Sequence, residues 1–154
     1  AGECALDMFA GVGPFAVPMA ARGADVVACD LNPVAVAYLR ENARRNGVDD
    51  RVTAVEGDVR ELTDDYAGWA DRLVMNLPHT AGAFLDTAVG LAGEECVLHY
   101  YDIQHEDDPF GPGEAAVRDA ADPVGYDVEV STRHVVRSYA PHELNVCLDV
   151  RLSR

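Results

Sequence analysis

Apolar and polar positions along this chain switch between two periods, and the switching starts with the first residues. Residues 4–9 form a short apolar run leading straight into a glycine turn, the pattern of a buried strand. Residues 14–22 predict a helix, 25–30 a second strand, and 33–46 a helix with one apolar face. Asn32 is suited to cap that helix, Pro33 to its first turn, and Gly47 to its termination. Further strands are expected over 51–56, 72–76 and 95–101, separated by an acidic helical connection and by a helix over 80–92. A last helix is expected over 113–121, after a stretch, 104–113, whose acid, Pro and Gly content marks it as a mobile loop.

The final quarter breaks this rhythm. Residues 127–137 and 143–152 are alternating, β-rich runs joined by Ser138, Tyr139, Ala140, Pro141 and His142. A parallel pair needs a crossover of about a dozen residues, so these runs must pair antiparallel or lie apart. The expected fold is therefore α/β: a Rossmann-like, doubly wound, mostly parallel seven-stranded sheet with a C-terminal antiparallel β-hairpin. No repeat, low-complexity tract or linker divides the chain, which makes residues 1–154 one domain. The first strand starts almost at Ala1 with no methionine before it, so an upstream region of the natural chain is expected to be missing.

Composition adds one surprise. Hydrophobic residues make up 49% of the chain, enough for a full core and against disorder. No apolar run approaches the ~18–20 residues that span a bilayer, and no signal-peptide pattern opens the chain. A soluble, cytoplasmic protein without a membrane partner is expected, and a monomer. Cys4, Cys29, Cys96 and Cys147 lie in predicted strands with no C-x-x-C pair or histidine at metal spacing, so they are expected to be reduced packing residues, with no metal. The surprise is the charge: 27 Asp and Glu stand against 12 Arg, with no Lys, for a net −15. That balance argues against nucleic acid, whose phosphates are held by basic side chains. A halophilic protein offers another explanation, because dense salt screens an acidic surface from itself. An acidic protein from an ordinary cytoplasm is the plainer alternative. Under the halophilic reading the charge does not exclude RNA.

The candidate chemistry starts at the first turn, where Asp7-Met8-Phe9-Ala10-Gly11-Val12-Gly13-Pro14-Phe15 joins strand to helix. Gly11 and Gly13 permit a tight turn and a close ligand approach. The glycine spacing alone also fits a dinucleotide fingerprint. Asp7 shifts the balance, because a carboxylate there would repel a pyrophosphate but suits the ammonium and sulfonium of S-adenosyl-L-methionine. Asp30 closes the second strand, where a carboxylate can accept from both ribose hydroxyls of a nucleoside; it could equally cap the following helix. Asp58 follows the third strand and can accept an adenine amino proton, or be one more solvated acid. Asn76-Leu77-Pro78-His79 ends the fourth strand, with an amide suited to a nucleobase edge and a proline to stiffen it. His79 could stack on a base or be an exposed loop residue. His99, His105, His134 and His142 have no acid or cysteine at triad or metal spacing and are read as structural or surface residues. Arg133, Arg137 and Arg151 would approach one another in a paired hairpin and form a local basic patch, or be solvated strand faces.

The first-turn segment, Asp30-Leu31-Asn32-Pro33, Val74-Met75-Asn76-Leu77-Pro78, Leu98-His99-Tyr100-Tyr101 and Ser138-Tyr139-Ala140-Pro141 occur here in the order found in the archaeal and eukaryotic tRNA (guanine-N1)-methyltransferases. The chain resembles that family along essentially its whole length. The resemblance implies a class I methyltransferase fold, S-adenosyl-L-methionine as cofactor, and tRNA as partner, methylated on the guanosine just 3′ of the anticodon. It implies cofactor contacts from Phe15, Asp30, Leu31, Asp58, Val59 and Asn76, with Asn76 and Pro78 at the target base; Asp7, Phe9, Gly11 and Gly13 of the first turn complete the expected cofactor site. A sister family that transfers the aminocarboxypropyl group of the same cofactor shares the first motif but does not typically carry Asn-Leu-Pro after strand four. In the resembling family the proposed proton acceptor and the tRNA-recognition domain precede the first strand, so the general base is expected outside this chain.

If the acidity is salt adaptation, the melting temperature should rise as KCl goes from dilute to molar, because screening relieves self-repulsion. A flat or falling melting temperature over that range would remove halophily as the explanation.

Overall fold

Strand residues of opposite parity serve two separate cores, and each core has its own helices. In the computed structural model, which describes residues 2–154, the strands are β1 (Cys4–Asp7), β2 (Asp25–Asp30), β3 (Val52–Glu56), β4 (Ala70–Met75), β5 (Ala92–His105), β6 (Asp127–Ala140) and β7 (Glu143–Ser153). The helices are α1 (Ala16–Ala21), α2 (Pro33–Arg45), α3 (Thr63–Tyr66), α4 (Leu85–Leu91) and α5 (Gly111–Ala121), with 3-10 turns at Val59–Leu62, Ala81–Phe84 and Asp122–Val124. The sheet order is β3-β2-β1-β4-β5-β7-β6. Neighbours are parallel except around β7, which runs antiparallel to both β5 and β6. This is the expected doubly wound sheet with its terminal hairpin.

On one face Ala5, Val26 and Ala28 meet Ala16, Ala20, Leu39 and Ala43, and these small side chains let α1 and α2 lie close to β1 and β2. On the other face Leu6, Val27, Leu73, Leu98 and Leu148 pack against Leu85 and Ala88 of α4 and Val117 and Ala121 of α5. Because β1 sits between β2 and β4, the chain leaves it first one way and then the other. The crevice at that reversal, outside the carboxyl ends of the strands, is where such sheets bind ligands.

Several predicted boundaries move for physical reasons. β1 stops at Asp7, not residue 9, because the Asp7 carboxylate takes the Phe9 N–H at 3.2 Å and turns the chain. α1 starts at Ala16, since Gly13 has φ +99°, outside helical space. The helix expected over 80–92 begins as a 3-10 turn, and Ala92 already belongs to β5. The acidic connection is a 3-10 turn and the single turn of α3, not one longer helix. Half of the expected loop over 104–113 is regular: Gln104 and His105 extend β5, while Gly111, Pro112 and Gly113 open α5. Its remnant is tied down, with Glu106 N–H donating to the His142 carbonyl at 2.8 Å. In α2 the expected cap holds, with the Asn32 side chain accepting from Val34 N–H at 2.9 Å. All four cysteines are free and lie on strands, Cys4 only partly buried. No helix is long and apolar enough to cross a membrane.

Candidate active site

One carboxylate organises the crevice. Asp30, at the end of β2, accepts the Gly11 N–H at 2.8 Å with one oxygen and the Asn32 N–H at 2.9 Å with the other. Its backbone carbonyl takes the Gly57 N–H at 3.0 Å, and the Cys29 carbonyl takes the Ala10 N–H at 2.8 Å. The loops after β1, β2 and β3 are thereby tied into one floor. Asp30 thus joins three loops rather than merely capping α2. An ionised carboxylate has about four lone-pair sites, so acceptor capacity remains for ligand hydroxyls.

The glycine turn shows why larger residues are excluded. Gly11 has φ +57°, and a Cβ on Gly13 would lie 2.7 Å from Leu39 Cδ1 of α2. Asp7 stands beneath this turn, fully buried. Its Oδ1 takes the Phe9 N–H, while Oδ2 has no partner among the described residues. Burial pushes its carboxyl up to about 7, the Phe9 N–H draws it down, and the Asp30 charge raises it further. An orphaned buried acceptor under a glycine turn fits a ligand bearing positive charge, as S-adenosyl-L-methionine does. Leu31 is 70% exposed and Val59 buried, so Leu31 offers an apolar surface at the crevice mouth.

Asp58 lies where the sequence places it, after β3, but is not a free acceptor. Arg60 holds both its oxygens, Oδ1 at 3.0 Å and Oδ2 at 2.5 Å, and that guanidinium, with the Arg60 backbone N–H, keeps the carboxyl down at about 2. Arg60 also lies over the Phe84 ring at 5.4 Å, and Phe84 meets Phe9 edge to face at 5.0 Å. Asn76 and Pro78 follow β4 half-buried, and the Asn76 amide makes no side-chain hydrogen bond among the described residues. The Phe15 ring meets Tyr101 at 5.9 Å, beside a cavity of about 710 Å³ on the α1 face of β4, β5 and β7.

Three pairings escaped sequence reasoning. His99 Nδ1 lies 2.6 Å from Asp149 and its Nε2 2.5 Å from Arg72, so the acid partner comes from β7, 50 residues away. His142 pairs with Glu106 at 2.7 Å, and His79 Nε2 lies 2.6 Å from the Tyr139 hydroxyl. Strand register sets the His99–Asp149 pair, and the return of distant loops sets the other two, so spacing along the chain held no signal for them. The expected basic patch is also incomplete: Arg133 is neutralised by Glu114 at 2.6 Å, and Arg151 faces Glu129 across the ladder. Among the described residues no group of His, Cys, Asp and Glu has the geometry to hold a metal ion.

A sheet in this order, with a glycine-and-carboxylate crevice at its reversal, is the α/β Rossmann-like fold of methyltransferases. The TRM5/TYW2 methyltransferase domain model matches residues 1–129, and the chain belongs to that family. It is 42% identical over 99% of its length to the tRNA (guanine(37)-N(1))-methyltransferase Trm5b of Pyrococcus abyssi, covering 44% of that protein. The crystal structure of Trm5b from P. abyssi superposes on the whole chain with a TM-score of 0.91, at 41% identity and 46% coverage of that structure. A tRNA(Phe) (4-demethylwyosine(37)-C(7)) aminocarboxypropyltransferase of Pyrococcus horikoshii is 33% identical over 97% of the chain and 54% of the relative. The crystal structure of M. jannaschii TYW2 in complex with AdoMet gives a TM-score of 0.93 at 28% identity, over 99% of the chain and 69% of that structure. The chain thus spans about half the length of the curated relatives it matches.

Asp7 makes stability pH-dependent in a definite direction. Its folded pKa lies above the ordinary 3.8, so the neutral form is favoured by folding and stability falls as pH rises towards about 7. Asp7→Asn should therefore melt higher than the native protein near pH 8, by about 2–4 °C per kcal/mol relieved, with the gap narrowing as pH falls below 7 and closing only below the ordinary value of 3.8. Parallel melting curves across that range would assign the buried charge elsewhere.

Proposed function

We propose that this domain transfers the methyl group of S-adenosyl-L-methionine to N1 of the guanosine 3′ of the anticodon, position 37, in tRNA. The observation that carries the reading is the meeting of two sites at one reversal of the sheet. The Asp30-tied glycine floor lies on one side of it, and the Asn76-Leu77-Pro78 loop follows β4 on the other. The 42% identity to Trm5b over 99% of the chain supports the same chemistry.

When bound, the cofactor supplies an electrophilic methyl group on a sulfonium centre. Asp30 would hold the ribose hydroxyls, and Asp7, buried beneath the glycine turn, would lie under the positive part of the ligand. Phe9, Gly11, Gly13, Phe15, Leu31, Val59 and Asn76 would complete the cofactor's surroundings. Asp58, with both oxygens held by Arg60, would lie beside the adenine as part of that ion pair. The Asn76 amide offers an acceptor and two donors to a guanine edge, and Pro78 limits the loop's freedom to move away. As the N–C bond forms, the N1 proton must leave to a base. Asp58, held near 2, is too weak for that work, and His79 is already engaged with Tyr139. We infer that the proton acceptor lies outside residues 1–154, a reading supported by the engagement of both Asp58 and His79. We also assign the enzyme to a salt-rich cytoplasm, as a monomer.

Aminocarboxypropyl transfer to the same tRNA position is the second reading, favoured by the 0.93 TM-score with M. jannaschii TYW2. Transfer of labelled methyl to tRNA transcripts bearing G or A 3′ of the anticodon, at molar KCl, tests the first reading. G-dependent label and a product 14 mass units heavier are expected; a gain of about 101 mass units would establish the second instead. For the cofactor, Asp30→Ala should weaken S-adenosylhomocysteine binding about tenfold to a hundredfold, from lost charge-assisted hydrogen bonds of about 1.5–3 kcal/mol. Calorimetric affinity unchanged by the substitution would remove Asp30 from the ribose.

A further inference from the structure

Acid dominates this chain but is not spread evenly, and its gaps converge in space. Asp and Glu make up 27 of 154 residues, yet none occurs in 8–24, 72–85 or 130–142, the three longest acid-free stretches. The first two contain the loops after β1 and β4. The third is the outer part of β6 with its turn into β7, distant from both in sequence. A direct contact brings it to the second: the Tyr139 hydroxyl lies 2.6 Å from His79 Nε2, and the two rings meet edge to face at 4.9 Å. The hairpin tip is thereby fastened to the loop that begins at Asn76.

This strip has the makings of a docking surface. β6 is the free edge of the sheet, and Val135, Val136 and Tyr139 on it are 42%, 41% and 47% exposed. Arg137 makes no ion pair among the described residues, whereas Arg133, on the same strand, is bound to Glu114. Of the acids nearest the turn, Glu106 is held by His142. The ladder is irregular between Val135 and Arg137 and again between Ser138 and Ala140. Such bulges spoil an edge for strand addition by a second protein chain. A free guanidinium beside aromatic rings fits an RNA strand, which offers phosphates to the one and base faces to the other. On a domain of net charge −15, an acid-free strip is also where a polyanion meets least repulsion.

We propose that the outer end of β6, with Arg137 and Tyr139, and the loop carrying His79 form the surface on which this domain receives the RNA strand flanking its target nucleotide. The proposal rests on RNA being the substrate. Arg137 meets a phosphate, and the Tyr139–His79 pair presents an aromatic face next to the base that reaches Asn76.

The test is fluorescence anisotropy with a labelled anticodon stem-loop RNA, using the full natural polypeptide at KCl from 0.1 to 1 M. Arg137→Ala should weaken binding and lower the slope of log affinity against log salt by about 0.7–0.9, the release expected for one phosphate contact. Tyr139→Ala should weaken binding about fivefold or more, as loss of one stacked base does, while Tyr139→Phe, which keeps the ring, should weaken it less. Arg45→Ala, on the far side of α2, is the control and should change neither quantity. Unchanged affinity and slope in Arg137→Ala, an equal loss in Arg45→Ala, or no RNA binding by the native protein would each overturn the proposal. A concentration-dependent dimer that Tyr139→Ala dissociates in sedimentation would give the strip to a second copy instead. RNA binding through the strip without methyl transfer would retain this surface and overturn the proposed reaction. Methyl transfer with unaltered binding in both variants would do the reverse.

Discussion

The crevice depends on the hydrogen bonds that converge on Asp30. Its two oxygens fix the glycine turn after β1 and the entry to α2, and its carbonyl fixes the end of β3. Without these bonds three loops of different origin would have no common reference. The arrangement also explains why the turn tolerates so little: Gly13 lies against Leu39 of the helix that the same carboxylate helps to start. A charged group at the rim thus does structural work before any ligand arrives, and it keeps acceptor capacity beyond these bonds.

Beneath it, Asp7 is the local misfit. A fully buried carboxylate with one unpartnered oxygen opposes the packing of the small-residue core around it. Sites that recognise charge commonly carry such tension, because the group that destabilises the empty site is the one the ligand satisfies. The Asp30 charge adds to the rise in the Asp7 pKa, after burial, as the smallest of the effects on it.

The C-terminal strands contribute by a different principle. Placing β7 between β5 and β6 sets His99, Asp149 and Thr132 in one rung, where the carboxylate bonds the other two. Since Arg72 can only donate to His99 Nε2, the imidazole proton sits on Nδ1, towards Asp149. These contacts stiffen the sheet face beside the broad cavity. At the far end of the same strands, the hairpin tip reaches the loop after β4 through Tyr139 and His79. Long edge strands that might have been only scaffolding therefore bear directly on the site.

Local rules in the sequence were sufficient for the order and type of elements, the hairpin, the Asn32 cap, and the placing of Asp30, Asp58 and Asn76 at strand ends. Periodicity, capping and glycine spacing act within a few residues, so they are legible in the chain itself. Boundaries such as those of β1 and α1 moved by a few residues, because single hydrogen bonds and one positive φ set them. The partners of His79, His99, His142, Arg60 and Arg133 belong to another order of information. Phe15 turned to Tyr101, and Asp58 to Arg60, according to what the neighbouring elements offered. Which side chain faces which across a sheet depends on strand order and register. Those are decided by the packing of the whole chain, which spacing along the sequence does not encode.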